Sequence, residues 1–387
     1  MNSIIAAIGH ALYMAAAMGW EILWGLVLGF TLSAVVDVVI SKAELQRLLP
    51  DDSAKSIARA TLVGAASSSC SYAAVAIARS IFRKGGDFTA AMAFQFASTN
   101  LVIELGVLLV VLMGWSFGAA EFLGGPIMIA LLVLMYRVLL RPRMVQAARE
   151  QAEKGLKGSM EGHAGMATMA KEGTWRERLT SSEGWTSISH YFVMNWSMLW
   201  KDIAVGLLIS GTLAALVPDS FWHAAFFADD PLLSKIWGPI IGPLIAVASF
   251  TCSIGNVPLA AVLWNGGISF GGVVAFIFGD LIILPIVNIY RKYYGARMSV
   301  FLMVTFYVAM VLAAFAVELL FGAFGWVPDA RSADVGKAAF SLNYTTVLNA
   351  AALVVAGWLY FRYRRTGGPE MMRAMGEGGD HAHHHAH

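Results

Sequence analysis

The sequence contains little charge and almost no cysteine. Only 13% of its 387 residues are charged and 58% are apolar, whereas a typical soluble domain carries about 25% charged residues. This balance excludes an ordinary soluble domain and indicates a polytopic membrane protein, for which the lipid bilayer is the first partner. The net charge of +2 says little about other partners, but nucleic acid is not expected among them.

Signatures of ATP hydrolysis and of zinc proteolysis are also absent. The chain has no G-x-x-x-x-G-K-[ST] loop to hold nucleotide phosphates and no H-E-x-x-H metal motif. We therefore expect neither an enzyme nor a bound cofactor. Any transport would draw on an ion gradient or on the substrate's own gradient.

The two cysteines of the chain lie in matching stretches. Ser67-Ser68-Ser69-Cys70-Ser71 is answered by Ser249-Phe250-Thr251-Cys252-Ser253, and further matches keep an offset of about 180 residues. They pair Trp20 with Trp196, Gly85-Gly86 with Gly266-Gly267, and Asn100 with Asp280. A constant offset over several independent matches predicts an internal duplication, with a cysteine motif at the centre of each half.

Apolar runs predict the membrane helices. A run of about 20 apolar residues crosses a hydrocarbon core of about 30 Å, and backbone groups without water must pair within a helix. The runs lie near 20–40, 88–113, 118–140, 192–217, 270–290, 299–325 and 341–361. The cysteine segments, 55–85 and 235–266, have two interpretations: each spans the membrane, or each is a re-entrant or broken helical hairpin.

Charge placement favours the hairpins. Basic residues concentrate on the cytoplasmic side of membrane proteins, and the most basic loop is 141–190. If the cysteine segments span, the basic stretches 291–297 and 362–365 fall outside; if they are re-entrant, both fall inside. Each half then has three full spans, so the predicted fold is all-α with two inverted repeats and an extra C-terminal helix.

This interpretation divides the chain into five parts. They are a first membrane repeat at 1–140, a cytoplasmic linker at 141–190, a second membrane repeat at 191–325, a loop and additional transmembrane helix at 326–361, and a cytoplasmic tail at 362–387 that is basic and then rich in histidine.

The cysteine motifs are the predicted substrate site. Unwound helix tips offer free backbone groups, and thiolates bind soft metals; alternatively, small residues there only allow close helix packing. The duplication favours a site. Its predicted members are Ser68, Ser69, Cys70, Ser71, Asn100, Thr251, Cys252, Ser253 and Asn256, with Cys70 and Cys252 as transient metal ligands.

Two carboxylates are predicted to couple transport to an ion. Ionisable groups inside a bilayer are costly, so a functional role is the default interpretation, and Asp280 and Glu104 lie in or beside apolar runs. A helix-end role is the alternative for both. In the tail, His383, His384 and His385 form a candidate metal site or part of a disordered end.

The motifs resemble those of the bacterial predicted-permease family that includes permeases exporting trivalent organoarsenicals. The resemblance rests on Cys70-Ser71-Tyr72-Ala73, on Ala97-Ser98-Thr99-Asn100, and on the stretch from Cys252 to Leu259. It covers roughly residues 10–325 and implies a multi-pass protein of the bacterial inner membrane. Many relatives carry Cys-Ser-Cys-Gly, whereas Tyr72 and Ile254 replace the second cysteine here.

These observations predict a secondary permease that exports a soft metal ion or a metalloid compound, such as an organoarsenical. Because each motif holds one thiol, dithiol binding requires Cys70 and Cys252 to meet. The substrate would be a small inorganic or organometalloid solute. A permease for a small sulfur-containing anion and a membrane-embedded redox or metal-transfer factor remain alternatives, and a homo-oligomer is left open.

Overall fold

The structure is a computed structural model that describes residues 2–39, 51–67, 71–83, 85–153, 175–249, 253–331, 333 and 344–372. In these parts of the chain the regular elements are helices and there are no strands. Their apolar side chains form one contiguous core that includes residues of both halves.

The helices of the first half follow the predicted runs, with additional breaks. They are α1 (Asn2–Val39), α2 (Ala54–Ser67), α3 (Ser71–Arg83), α4 (Phe88–Asn100), α5 (Ile103–Met113), α6 (Trp115–Leu139) and α7 (Pro142–Glu153). A short helix, α8 (Trp175–Thr180), precedes the second half.

The second half repeats this order. Its helices are α9 (Ser182–Leu216), α10 (Asp219–Phe226), α11 (Pro231–Ser249), α12 (Ser253–Asn265), α13 (Phe270–Phe278), a 3₁₀ helix (Gly279–Ile282), α14 (Leu284–Tyr294), α15 (Ala296–Phe324) and α16 (Tyr344–Arg365). Among the described helices of both halves, four are long and apolar enough to cross a membrane, by length and composition only: α6, α11, α15 and most of α16. Counting each bent helix pair as one span raises the number to as many as eight.

Matching helices in the two halves have matching local geometry. The α4–α5 pair bends by 40° and the α13–α14 pair by 43°. Gly114 (φ 98°, ψ 166°) joins α5 to α6, and Gly295 (φ 88°, ψ 160°) joins α14 to α15. Both glycines occupy a region of φ that L side chains rarely adopt. The turn chemistry therefore repeats with the sequence.

The first tip pair, defined as α2 and α3, lies alongside α4. A Cβ on Gly64 would lie 2.5 Å from the Phe94 carbonyl oxygen and 2.9 Å from Ala97 Cβ, so α2 approaches the backbone of α4 closely. At the other end of α2, Asp52 forms an ion pair with Arg137 of α6 at 3.5 Å. Helix α2 thus runs in the same direction as α4, and its last residues lie beside the end of α4.

The second tip pair, defined as α11 and α12, is arranged in the same way beside α13. A Cβ on Gly238 would lie 2.1 Å from Ser269 Oγ, and one on Gly242 would lie 2.4 Å from the Gly272 carbonyl oxygen. One on Gly279 would meet Ala246. Glycine at these positions permits the close packing, and α11 runs parallel to α13 towards the 3₁₀ helix.

Helices α6 and α15 connect the bases of the two tip pairs, where a base is the end away from the tip. At one end, Tyr136 of α6 contacts Phe88 at the start of α4 and Phe301 near the start of α15. At the other end, Phe270 at the start of α13 contacts Phe117 of α6 and Phe321 of α15. The bases therefore lie at opposite ends of these two long helices.

Two arginines hold the bases through equivalent contacts. Arg149 donates hydrogen bonds to the carbonyl oxygens of Phe82 and Gly86, and its guanidinium lies 4.3 Å from the centre of the Phe82 ring. Arg331 donates to the carbonyls of Trp264 and Ile268 and lies 4.6 Å from the Trp264 ring.

The sequence separations of these arginine contacts are 67 and 63 residues in both halves. These equal separations agree with the predicted duplication, and the boundaries at residues 140 and 325 stay predictions. Both arginines satisfy carbonyl groups in the turn that follows a tip pair, in addition to stacking on an aromatic ring.

Helix α16 packs against α1 and α9 at the periphery. Its buried Asn349 donates to the Trp20 carbonyl at 2.7 Å and accepts from the Trp24 N–H at 2.9 Å. Those two backbone groups would pair with each other in a regular α-helix. The asparagine amide thus satisfies both groups at a break in α1.

Candidate functional site

The centre of the molecule is a carboxylate that receives hydrogen bonds from both halves. Asp280 is fully buried, and its Oδ2 accepts from Ser71 Oγ at 2.5 Å and from Ser253 Oγ at 2.8 Å. Its Oδ1 accepts from Asn100 Nδ2 at 3.2 Å. The first residues of α3 and α12 therefore meet at one oxygen atom, although 182 positions separate them in the sequence.

Helix breaks place these side chains together. Asp280 lies in the 3₁₀ helix that follows α13, and Asn100 is the last residue of α4. Each precedes the bend of its helix pair. Ser71 and Ser253 begin the outgoing helix of each tip pair. The four side chains are thus presented where regular backbone pairing is interrupted, which is typical of sites inside membrane proteins.

The electrostatics of this centre are unusual. In the described part of the chain, no lysine or arginine interacts with Asp280; its partners are two hydroxyls, a side-chain amide and the backbone N–H of Leu281. The buried Asn100 Oδ1 accepts no hydrogen bond from a described residue. Burying a charge without a counter-charge is costly, so the centre is suited to binding a proton or a cationic group.

A second polar contact crosses the second tip pair. Ser249 Oγ at the end of α11 donates to Asn256 Oδ1 in α12 at 3.1 Å, and Asn256 is fully buried. The predicted site residue Asn256 thus lies one turn after Ser253 and links the two helices of the pair.

Several predicted site residues lie outside the described residues. They are Ser68, Ser69, Cys70, Thr251 and Cys252, together with His383, His384 and His385. Cys70 and Cys252 directly precede Ser71 and Ser253 in the sequence. Among the described residues, no group of three or more His, Cys, Asp or Glu side chains could hold a metal ion.

The second predicted coupling residue, Glu104, is buried in the first turn of α5. A Cβ on Gly29 of α1 would lie 2.3 Å from Glu104 Cβ and 2.9 Å from its Cα, so α1 packs closely against the backbone of α5 at this residue. Among the contacts described, none joins Glu104 to Asp280. Among the predicted site residues that the structure describes, Ser71, Asn100, Ser253 and Asp280 are brought together.

Sequence reasoning missed a carboxylate near this centre. Glu121 of α6 is 1% exposed, and neither of its oxygens has a hydrogen-bond partner among the described residues. Asp280 interacts with it electrostatically. Its position within the apolar run 118–140 was the available signal, because an ionisable residue in such a run is a functional candidate.

A hydrolase pattern in the sequence has a structural explanation. G-x-S-x-G occurs at 114–118 and at 267–271, but a helix, and not a strand, precedes each copy. A nucleophile elbow requires a strand-to-helix turn. Ser269 instead accepts a hydrogen bond from the Gly272 N–H and caps α13, so this serine has a structural partner.

The helices and the buried polar centre define the class as a helical membrane protein with a polar site between its two halves. Over residues 7–319 the chain matches the model of a family described as "Predicted permease". A Mycobacterium tuberculosis protein named "Putative permease Rv2963" is 58% identical over 384 residues, which cover 99% of this chain and 95% of that protein. The chain belongs to the predicted-permease family. No solved structure matches it.

Proposed function

We propose that the protein is a secondary permease of the bacterial inner membrane whose substrate passes between the tips of the two tip pairs, at Asp280. The observation that carries this proposal is the shared carboxylate oxygen, which Ser71 and Ser253 both bond. A centre that depends on both halves changes when one half moves against the other. This is the requirement for alternating access.

The proposal includes a membrane arrangement in which the tip pairs are re-entrant hairpins of two inverted repeats. Two observations support it. Each incoming helix runs parallel to the following membrane helix and ends beside its break, and the two bases lie at opposite ends of α6 and α15. The basic residues Arg137, Arg149 and Arg291 lie at the first base or close to it, and since basic residues concentrate on the cytoplasmic side, we place that end in the cytoplasm.

Cysteine labelling tests the inverted arrangement. Arg83 at the first base and Asp229 at the second are exposed, so each suits a single introduced cysteine after Cys70 and Cys252 are replaced by serine. A membrane-impermeant maleimide applied to intact cells should label the variant at position 229 and spare the one at position 83. Labelling of both from the same side contradicts the inverted repeats.

For the substrate we propose a soft metal ion or a metalloid compound, such as a trivalent organoarsenical, moving outwards. Cys70 and Cys252 each directly precede a serine that bonds Asp280, and thiolates bind soft metals and metalloids. A carboxylate without a neighbouring lysine or arginine repels anions. This disfavours the alternative of a small sulfur-containing anion.

A transport assay tests the substrate. Uptake of arsenite, methylarsenite, Cu(I), Zn(II) and thiosulfate is first measured in inverted vesicles that contain the wild type. The uptake of each transported solute is then compared with that of vesicles containing Cys70→Ala or Cys252→Ala. We expect one soft cation or metalloid to accumulate and both substitutions to reduce uptake to the level of vesicles lacking the protein. Uptake of thiosulfate alone, or equal uptake by all three proteins, would reject the thiol site.

Two serine substitutions test the centre itself. Ser71→Ala and Ser253→Ala each remove one hydroxyl from Asp280 Oδ2, and a hydrogen bond to a charged group contributes about 1.5–3 kcal/mol. We expect each to slow the uptake of the transported solute by at least about tenfold. Ser187→Ala is the control, because this serine bonds a carbonyl of its own helix at 3.1 Å, and it should leave uptake unchanged.

A further inference from the structure

Glu121 is a buried carboxyl group that the proposed mechanism has not yet used. Its side chain is 1% exposed, and both oxygens are without a hydrogen-bond partner among the described residues. A buried polar group without a partner costs about 1–3 kcal/mol, and more when it is charged. A residue that only stabilises the fold would not carry this cost. The carboxyl group of Glu121 therefore indicates a ligand that a carboxylate can bind.

The position of Glu121 relates it to the Asp280 centre. One turn later in α6, a Cβ on Gly124 would meet Phe278 and one on Gly125 would meet Leu101. Leu101 follows Asn100, and Phe278 is two residues before Asp280. Glu121 therefore lies about one helical turn, roughly 5 Å, from the level of the centre, on the side of the second base.

One turn in the other direction, Phe117 packs against the rings of Trp264 and Phe270. This aromatic cluster separates Glu121 from the second base. The carboxyl group thus lies between the centre and the face that we assign to the cell exterior.

The groups around Glu121 and Asp280 indicate which ligand the two carboxyl groups bind. In the described part of the chain, Asp280 is the charged side chain that acts on Glu121. Asp280 also acts on the phenol of Tyr290 in α14. A phenol stays neutral at physiological pH. Two carboxylates with no cation between them cannot both be ionised at low cost, and a proton is the smallest ion that neutralises one of them.

We propose that Glu121 is the proton-loading residue of the permease. It takes up a proton from the side of the second base and passes it to Asp280, which releases the substrate as it is neutralised. In this step one O–H bond at Glu121 breaks and one forms at Asp280, directly or through a water molecule. The negative charge moves to Glu121, which is then protonated again from outside, and Asp280 loses its proton towards the first base before it binds the next substrate.

This inference rests on the proposed function, because it names the coupling ion and the residue that receives it. A first experiment, in liposomes, distinguishes the coupling of transport to protons from the movement of substrate itself. It measures methylarsenite accumulation driven by a pH gradient and methylarsenite exchange without a gradient. Glu121→Gln should abolish driven accumulation and keep exchange within about twofold of the wild type, since only proton transfer is lost.

Two further variants calibrate this experiment. Asp280→Asn should lose both accumulation and exchange. Glu318→Gln is the matched control, because Glu318 is a buried carboxylate on the other long helix, α15, and accepts from the Gly271 N–H at 2.5 Å; it should keep both. Normal driven accumulation in Glu121→Gln overturns the inference and leaves the proposed function intact. Loss of exchange as well makes Glu121 a structural or substrate-binding residue, which also overturns it.

A second experiment needs no substrate. Infrared difference spectra of the purified protein, taken over a pH titration, should contain the carbonyl stretch of a buried protonated carboxyl group. Glu121→Gln should remove this band, and Asp280→Asn should shift the pH at which it titrates. A missing band, or one that Asp280→Asn leaves unchanged, overturns the inference. If the wild type moves no methylarsenite but the band behaves as expected, the substrate proposal fails and the proton pair stands.

Discussion

The two halves of the molecule share a scaffold and differ at their centre. Arg149 and Arg331 hold the two bases through the same set of contacts, and Asp87 and Ser269 cap α4 and α13 in the same way. Near the centre, however, Asn100, which the sequence comparison of the halves pairs with Asp280, carries an amide and not a carboxylate. The two halves hold corresponding helices in the same way, while a single carboxylate receives hydrogen bonds from Ser71 of one half and Ser253 of the other.

This difference explains why the centre contains one carboxylate and one amide, and not two carboxylates. Two carboxylates at Asn100 and Asp280, which are already within hydrogen-bonding distance of each other, would repel one another in a medium of low dielectric constant. An amide at one position instead donates to the carboxylate at the other. The asymmetry of sequence at position 100 therefore stabilises the single charge at position 280.

The largest effect is expected from breaking this asymmetry. Asp280→Asn removes the charged acceptor of two hydroxyl hydrogen bonds and should lower the initial rate of methylarsenite uptake by at least about tenfold. Asn100→Asp alone should also impair uptake, because it places two carboxylates together. The double variant moves the carboxylate into the first half and should recover part of the rate.

Uptake is measured in inverted vesicles, with the amount of folded protein checked by gel filtration of detergent extracts. If the double variant is no better than Asp280→Asn, the two tips are not equivalent and the comparison between the halves fails at the site.

A smaller and equal effect is expected at the two bases. Arg149→Met and Arg331→Met each remove two hydrogen bonds to carbonyls and one cation–π contact, for which we expect a loss of about 1–3 kcal/mol. Thermal unfolding of the purified protein measures it. Arg143→Met, at an exposed position of the same helix as Arg149, should leave the midpoint unchanged. If the losses in the free energy of unfolding differ by more than about 1 kcal/mol, the two arginines do not contribute equally to stability.

The smallest effect concerns the helix caps. The Asp87 carboxylate accepts from the Ala90 N–H at 3.0 Å, and Ser269 Oγ accepts from the Gly272 N–H at 3.1 Å. Alanine at either position should cost about 1 kcal/mol. Hydrogen–deuterium exchange should become faster in the first turn of α4 in one variant and of α13 in the other. Faster exchange throughout the protein would mean that the cap supports more than its own helix.

The sequence predicted the scaffold better than the site. Family membership and a helical membrane protein were predicted from composition, apolar runs and the cysteine motifs, and both are confirmed. The match of Asn100 with Asp280 came from the repeat offset, and the structure places them in contact. Their roles in transport stay predictions, as do those of Cys70 and Cys252.

Neither the role of Glu121 nor the arginine contacts could be predicted from the repeat or from local composition. Glu121 has no carboxylate at the matching position of the other half, so the duplication did not mark it. Arg149 and Arg331 lie in stretches of mixed charge, where a solvated surface is the usual interpretation of an arginine. Their function as holders of the bases depends on carbonyls 63 and 67 residues away.

The sequence by itself determined that the chain forms apolar helices; that it consists of two similar halves, with a polar cysteine motif at the centre of each, stays a prediction. These properties follow from local hydropathy and from repetition, which are read along the chain. Only the tertiary structure decided that Ser71 and Ser253 share one oxygen of Asp280, and that Glu121 is buried near this centre without a hydrogen-bond partner among the described residues. Such contacts join residues far apart in sequence, and which residues meet depends on how the helices pack against one another.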